Sequence, residues 1–183
     1  MGLDARVRYT QMVIKNSFIK LLEQKPLNKV TVKEICELSE INRATFYKYY
    51  CDAYDLLEKL EAEFLNELQN NVHESAQKGF RDTFALIMVS IKADGKLYQT
   101  LFSENGDPHF PSRILDSCYK QYILSNDDEK LSKLSLNEQT WLYYFIAHGC
   151  SGILSQWIKT GMLQPINEVV DFVDRLVRNI SIA

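Results

Sequence analysis

Between Thr31 and Tyr50 the chain reads TVKEICELSEINRATFYKYY, and no other stretch restricts the possible folds as much. Thr31 and Glu34 have the spacing of a capping box, in which the hydroxyl takes one orphan N–H at a helix start and the carboxylate takes another. Val32, Ile35 and Leu38 then recur at helical spacing and mark the buried side of a first short helix. After Ser39 and Glu40, Ile41 plugs a tight turn, and Asn42 caps a second helix that carries Arg43, Thr45, Tyr47 and Lys48. The pattern is that of a helix-turn-helix, whose second helix presents polar side chains near its start to the major groove of DNA. Arg43 has the fork that matches guanine O6 and N7. Thr45, Tyr47 and Lys48 carry donors suited to phosphates, whereas Phe46 and Tyr50 are expected to pack inward. An ordinary antiparallel helix pair with solvated charges satisfies the same local pattern, so the rest of the chain has to decide between them.

Charge favours the first reading. Residues 1 to 50 hold nine Lys/Arg against five Asp/Glu, a balance of +4, while the remainder carries −7 and the whole chain −3. A basic head on an acidic body directs the head toward phosphates and keeps the body off them. Arg6, Arg8, Tyr9 and Thr10 lie near the start of a first helix expected over residues 4–24, with Val7, Ile14, Phe18, Leu21 and Leu22 on its buried stripe.

On the residues quoted, continued by D-A-Y-D-L-L, the chain resembles the TetR family of bacterial transcriptional regulators from about Arg6 to Leu60. The resemblance implies a three-helix DNA-binding domain over residues 1–51 and a larger helical domain over 52–183 that dimerises and often holds a small-molecule pocket. Carried over residue by residue, it places DNA contacts at Thr31, Lys33, Arg43, Thr45, Tyr47 and Lys48. Two positions depart from the family pattern. Glu40 stands where the turn usually has Gly, so either a positive φ there costs about 1 kcal/mol or the turn differs slightly, and Ala53 stands where a phosphate-contacting Lys usually opens the next helix.

The remaining pattern is helical throughout, with seven Gly, four Pro and no alternating strand runs, so the expected fold class is all-α with about nine helices. Asp52 caps a long helix with Leu57, Leu60, Phe64, Leu68 and Val72 in register, expected to act as the lever between head and body. Phe80, Phe84, Ile87, Met88 and Ile91 form the next stripe. A short helix then holds Leu97 to Phe102, Asn105 to Pro108 form a loop, and Ser112 to Leu124 is helical again. Ser125 to Leu134 is charged and is expected to be an exposed, mobile connection. Ser135 and Glu138 form a second capping box, opening a helix that runs to Thr160 and is apolar on more than one face. The last helix spans about 165–180.

Together these two helices carry more apolar surface than one subunit can cover, which predicts a homodimer. The segment WLYYFIAHGCSGILSQWIKTGM resembles a TetR subgroup that includes regulators of dihydroxyacetone kinase operons, whose last two helices pair in a four-helix interface. In such an interface Gly149 and Gly152 would let helices approach closely, unless they merely relieve crowding inside one subunit, and Ile153, Trp157, Phe172, Val173 and Leu176 are expected to supply its apolar contacts. Aromatic and semi-polar residues are plentiful on the middle helices: Phe84, Met88, Tyr98 and Phe102, then Tyr119, Tyr122, Tyr144 and His148. They predict a pocket for a small apolar or aromatic effector, the alternative being phenols that simply reach the surface with their rings buried.

No enzyme constellation, zinc spacing or phosphate loop is visible, and the three His and four Cys are scattered. No cofactor and no metal are expected. The apolar run Trp141 to Ala147 is too short to span a bilayer and the first ten residues lack a signal-peptide core, so the expected location is the cytoplasm. The functional expectation is a repressor that binds a near-palindromic operator as a homodimer and is released by a small molecule. The rival is a TetR-like coactivator that works through a protein partner.

Overall fold

The computed structural model describes residues 5–76, 79–125 and 134–180. Within them the fold is all-α. The helices are α1 (Ala5–Leu22), α2 (Val32–Leu38), α3 (Arg43–Tyr47), α4 (Ala53–Ala76), α5 (Phe80–Ala93), α6 (Gly95–Leu101), α7 (Phe110–Ser125), α8 (Leu136–Lys159) and α9 (Ile166–Ile180). A 3-10 turn, Leu27–Lys29, follows α1. Most of the connection expected to be mobile, residues 126–133, lies outside the described residues. None of the described helices is long and apolar enough to cross a membrane.

Two compact units emerge, one of Met1–Phe64 with Thr100–Pro108, the other of Leu65–Gln99 with His109–Ala183. The division falls inside α4, and the buried Leu56, Leu57, Leu60 and Phe64 belong to the first unit. In the first unit Ile14, Phe18 and Leu22 of α1, Ile35 of α2, Phe46 of α3 and Leu56 of α4 are fully buried. Each such side chain contributes about 1.5–3 kcal/mol. Leu38 is an exception to the expected stripe. It is 46% exposed, and Cys36 takes the inward position beside Ile35.

Local chemistry explains both ends of α2. Glu34 N–H donates to Thr31 Oγ1 at 3.3 Å and Thr31 N–H donates to Glu34 Oε2 at 3.1 Å, which completes the capping box. Lys25 Nζ lies 2.5 Å from Glu34 Oε1. The bond from Lys25, followed by those from Thr31, holds the Glu34 carboxyl at about 2. At the other end Ile41 N–H donates to Cys36 O at 3.1 Å and Glu40 N–H to Glu37 O at 3.4 Å. This pairing is a Schellman motif, which requires a left-handed residue between cap and exit. That residue is Glu40, with φ 55°. Glu40→Gly is therefore expected to raise the stability of the protein by about 0.5–1 kcal/mol. Urea unfolding followed by circular dichroism tests this, and an unchanged or lower midpoint would show that the Glu side chain offsets its own backbone strain.

The first unit also recruits a distant loop. Asn105 Nδ2 donates to Leu22 O at 2.8 Å, and Leu27 N–H donates to Asn105 O at 3.0 Å, so one residue joins the end of α1 to the 3-10 turn.

In the second unit α5 packs on α9 and α7 on α8. Phe84, Ile87, Met88 and Ile91 of α5, Leu154 and Ile158 of α8, and Val170 and Val173 of α9 form its fully buried centre. Arg81 donates from both Nε and Nη2 to Asp171 Oδ1, at 2.9 and 2.7 Å, fastening the start of α5 to α9. The capping box of Ser135 and Glu138 starts α8 as expected. Its end is another Schellman turn, with Gly161 at φ 83° and Met162 N–H donating to Trp157 O at 2.8 Å.

Candidate nucleic-acid interface

A five-residue α3 is too short to be stable alone, and it is held from beneath. Asn42 Oδ1 accepts the N–H of Thr45 at 2.7 Å and fixes its start. Phe46, fully buried, anchors its centre; the Phe46 ring lies 5.6 Å from Tyr50 and meets Tyr47 edge-on at 5.7 Å. Tyr50 is buried as expected, without a hydrogen-bond partner for its hydroxyl among the described residues, and burial pushes its pKa up to about 12. With these two rings turned inward, Arg43, Ala44, Tyr47 and Lys48 are exposed together on the outer side. Among the described residues neither Arg43 nor Lys48 is held in an ion pair. The outer side of α3 is thus a short ridge with two cations and a phenol.

The other three expected contacts are engaged. Thr31 Oγ1 donates to Glu34 Oε2 at 2.7 Å, and Thr45 Oγ1 donates to Asn42 Oδ1 at 2.9 Å. A phosphate diester only accepts, so either threonine has to release its capping partner before it can donate to DNA. Lys33 sits 3.7 Å from Glu37, both largely exposed. Such a pair is worth at most about 1 kcal/mol and gives way readily to a phosphate. Ala53 is buried at the start of α4.

The residues expected to line an effector pocket differ in burial. Phe84, Met88 and Tyr98 are buried in the second unit, whereas Phe102 belongs to the first. Tyr144 and His148 stack on each other at 6.0 Å, and both are exposed. The side chains of Tyr119 and Tyr122 lie outside the described residues. Alternating phenols and apolar residues look alike from sequence whether they fill a core or line a cavity.

Of the expected dimer residues, Gly149, Gly152, Phe172 and Leu176 are exposed and Ile153 is half-buried. A Cβ added at Gly149 or Gly152 would meet nothing within 4 Å. Trp157 and Val173 are different: they are buried inside the subunit, and Trp157 Nε1 donates to Gln164 O at 3.0 Å. A groove of about 510 Å³ runs between α8 and α9, lined among others by Gly152, Ile153, Trp157, Val169 and Phe172. Trp141 and Phe145, at 67% and 64% exposure, extend the apolar surface along α8. Neither was singled out from sequence, although the apolar residues on more than one face of that helix were the available signal.

A helical head with an outward cationic ridge, carried by an all-helical body, is the architecture of a one-component transcriptional regulator. Residues 79–179 match the family described as a transcriptional regulator C-terminal region, of the TetR type. The chain belongs to the TetR family. It is 22% identical over 130 residues to the HTH-type dhaKLM operon transcriptional activator DhaS of Lactococcus lactis subsp. lactis (strain IL1403), across 71% of this chain and 63% of that protein. The match thus spans less than two thirds of that relative's length. Among solved structures, a dihydroxyacetone kinase operon activator DhaS superposes with a TM-score of 0.65 at 20% identity, covering 93% of this chain and 94% of the other. A TetR transcriptional regulator from Streptococcus agalactiae 2603V gives 0.62 at 18%, covering 94% and 95%. At such identities the likeness concerns the fold.

Proposed function

We propose that this regulator binds a near-palindromic DNA duplex as a homodimer, with Arg43 reading a base edge and Tyr47 and Lys48 contacting the backbone. The observation that carries the reading is the outward set of Arg43, Tyr47 and Lys48 over the buried Phe46 and Tyr50. The exposed glycines and aromatic residues of α8 and α9 support pairing of two bodies. A two-fold dimer presents two heads to two half-sites, hence the palindrome.

The test is selection of bound duplexes from a random pool by the full chain. Enrichment of an inverted repeat supports the proposal, and an unenriched pool overturns it in favour of a coactivator that works through a protein. For the sign of regulation we propose repression by occupancy. DhaS of Lactococcus lactis, an activator by name, is the precedent for the opposite sign. A reporter behind the selected site decides, since deletion of the regulator raises expression under repression and lowers it under activation. Release by a small molecule bound in the body is part of the same proposal, and its support is the set of buried aromatic and sulfur side chains Phe84, Met88 and Tyr98 in the second unit.

A further inference from the structure

The exit of α3 is held by two side chains of α4 that the sequence did not mark. Lys59 Nζ donates to Tyr49 O at 2.8 Å and to Asp55 Oδ2 at 2.9 Å, and it stands 5.4 Å from the centre of the Tyr50 ring. Of the three donors of the ammonium, two are spent on Tyr49 O and Asp55 Oδ2, while the Lys59 side chain remains 47% exposed. Asp55 Oδ2 in turn accepts the N–H of Cys51 at 2.8 Å. The carbonyl before Tyr50 and the amide after it are therefore both fastened to α4. The Tyr50 side chain itself, buried and with its hydroxyl unpartnered among the described residues, contributes shape but no polar register.

We propose that Lys59 is a positioning residue for sequence recognition: by clamping Tyr49 O and the Asp55 bridge, it sets the angle at which α3 presents Arg43, Tyr47 and Lys48. The inference rests on the DNA-reading role proposed above. The obvious competing role is a phosphate contact that replaces the lysine absent at Ala53. In the free protein two of the three ammonium donors already serve Tyr49 O and Asp55, which favours the clamp; the third is open to a phosphate, and the salt slope distinguishes the two roles. Asp55 has its carboxyl pKa lowered, first by the Cys51 N–H and then by Lys59, so the bridge stays charged at neutral pH.

The experiment compares the full-length protein with Lys59→Met, which keeps the aliphatic stem, on the selected duplex, on a duplex with one half-site base changed, and on an unrelated duplex across a salt series. The expected result is a loss of about tenfold on the selected duplex, almost none on the unrelated one, and an unchanged slope of log affinity against log salt. In an Arg43→Ala background the effect of Lys59→Met should shrink, because one residue acts through the other. A slope shallower by about 1.8 per dimer would make Lys59 a phosphate contact and overturn the proposal. Equal losses on all duplexes, or full additivity with Arg43→Ala, would overturn it too. Amide exchange at Cys51 in the free protein should speed up in Lys59→Met. If it does not, the clamp is absent. If it does while the wild type shows no sequence preference, the clamp exists and the DNA-reading role is what fails.

Discussion

Phe172→Asp is expected to yield monomers at concentrations where the wild type sediments as a dimer. Phe172 is 48% exposed on α9 and borders the groove against α8, so in a lone subunit its ring lies half in water. In a two-fold pair the same contact occurs twice. Losing the burial of two half-exposed rings, at about 0.7–1.5 kcal/mol each, weakens association roughly 10- to 10²-fold before any penalty for burying carboxylates. Val173, next in the chain, is the control. It is buried in the subunit's own core, so Val173→Asp should lower the melting temperature and produce insoluble protein instead of folded monomers. Sedimentation velocity at tens of micromolar, paired with thermal melts, distinguishes the two. A wild-type monomer, or a Phe172→Asp dimer as tight as wild type, would remove α8 and α9 from the interface.

Affinity for the selected duplex should fall about 10³-fold or more between 50 and 200 mM salt, if the two heads together neutralise six or more phosphates. Onto that uniform term Arg43 adds discrimination. Arg43→Ala should cost about 1–3 kcal/mol on the preferred duplex and relax the choice of base, whereas Lys48→Ala should weaken every sequence alike and flatten the salt slope. Phe46 makes the experiment interpretable, since it anchors α3 independently of either cation. Binding that ignored salt, or a selected consensus unchanged by Arg43→Ala, would refute the assignment of α3 as the reading element.

Features decided within a few residues were legible in the sequence. Both capping boxes close as their spacing predicts, Phe46 and Tyr50 turn inward, and the departure at Glu40 takes the left-handed conformation that a Schellman turn demands. Features decided by partners far along the chain were not. Leu38 fits the stripe of α2, yet Cys36 is the residue the head buries. Lys59 has an ordinary surface composition and reveals its role only through the carbonyl of Tyr49, ten residues away. Periodicity likewise put Trp157 and Val173 on the apolar side of their helices but could not show that both are buried within the subunit itself.

Asn105 has a practical consequence for anyone wishing to transplant the head of this regulator onto another body. The unit that contains α1, α2 and α3 is discontinuous, for it includes Thr100–Pro108. A chimera cut after residue 51 would leave behind the side chain that receives the end of α1 at Leu22 and the carbonyl that takes the amide of Leu27. Each lost bond costs about 1 kcal/mol, and more where the abandoned group stays dry. The transferable cassette is residues up to Phe64 with the Thr100–Pro108 loop restored beside them, two pieces of chain and one graft.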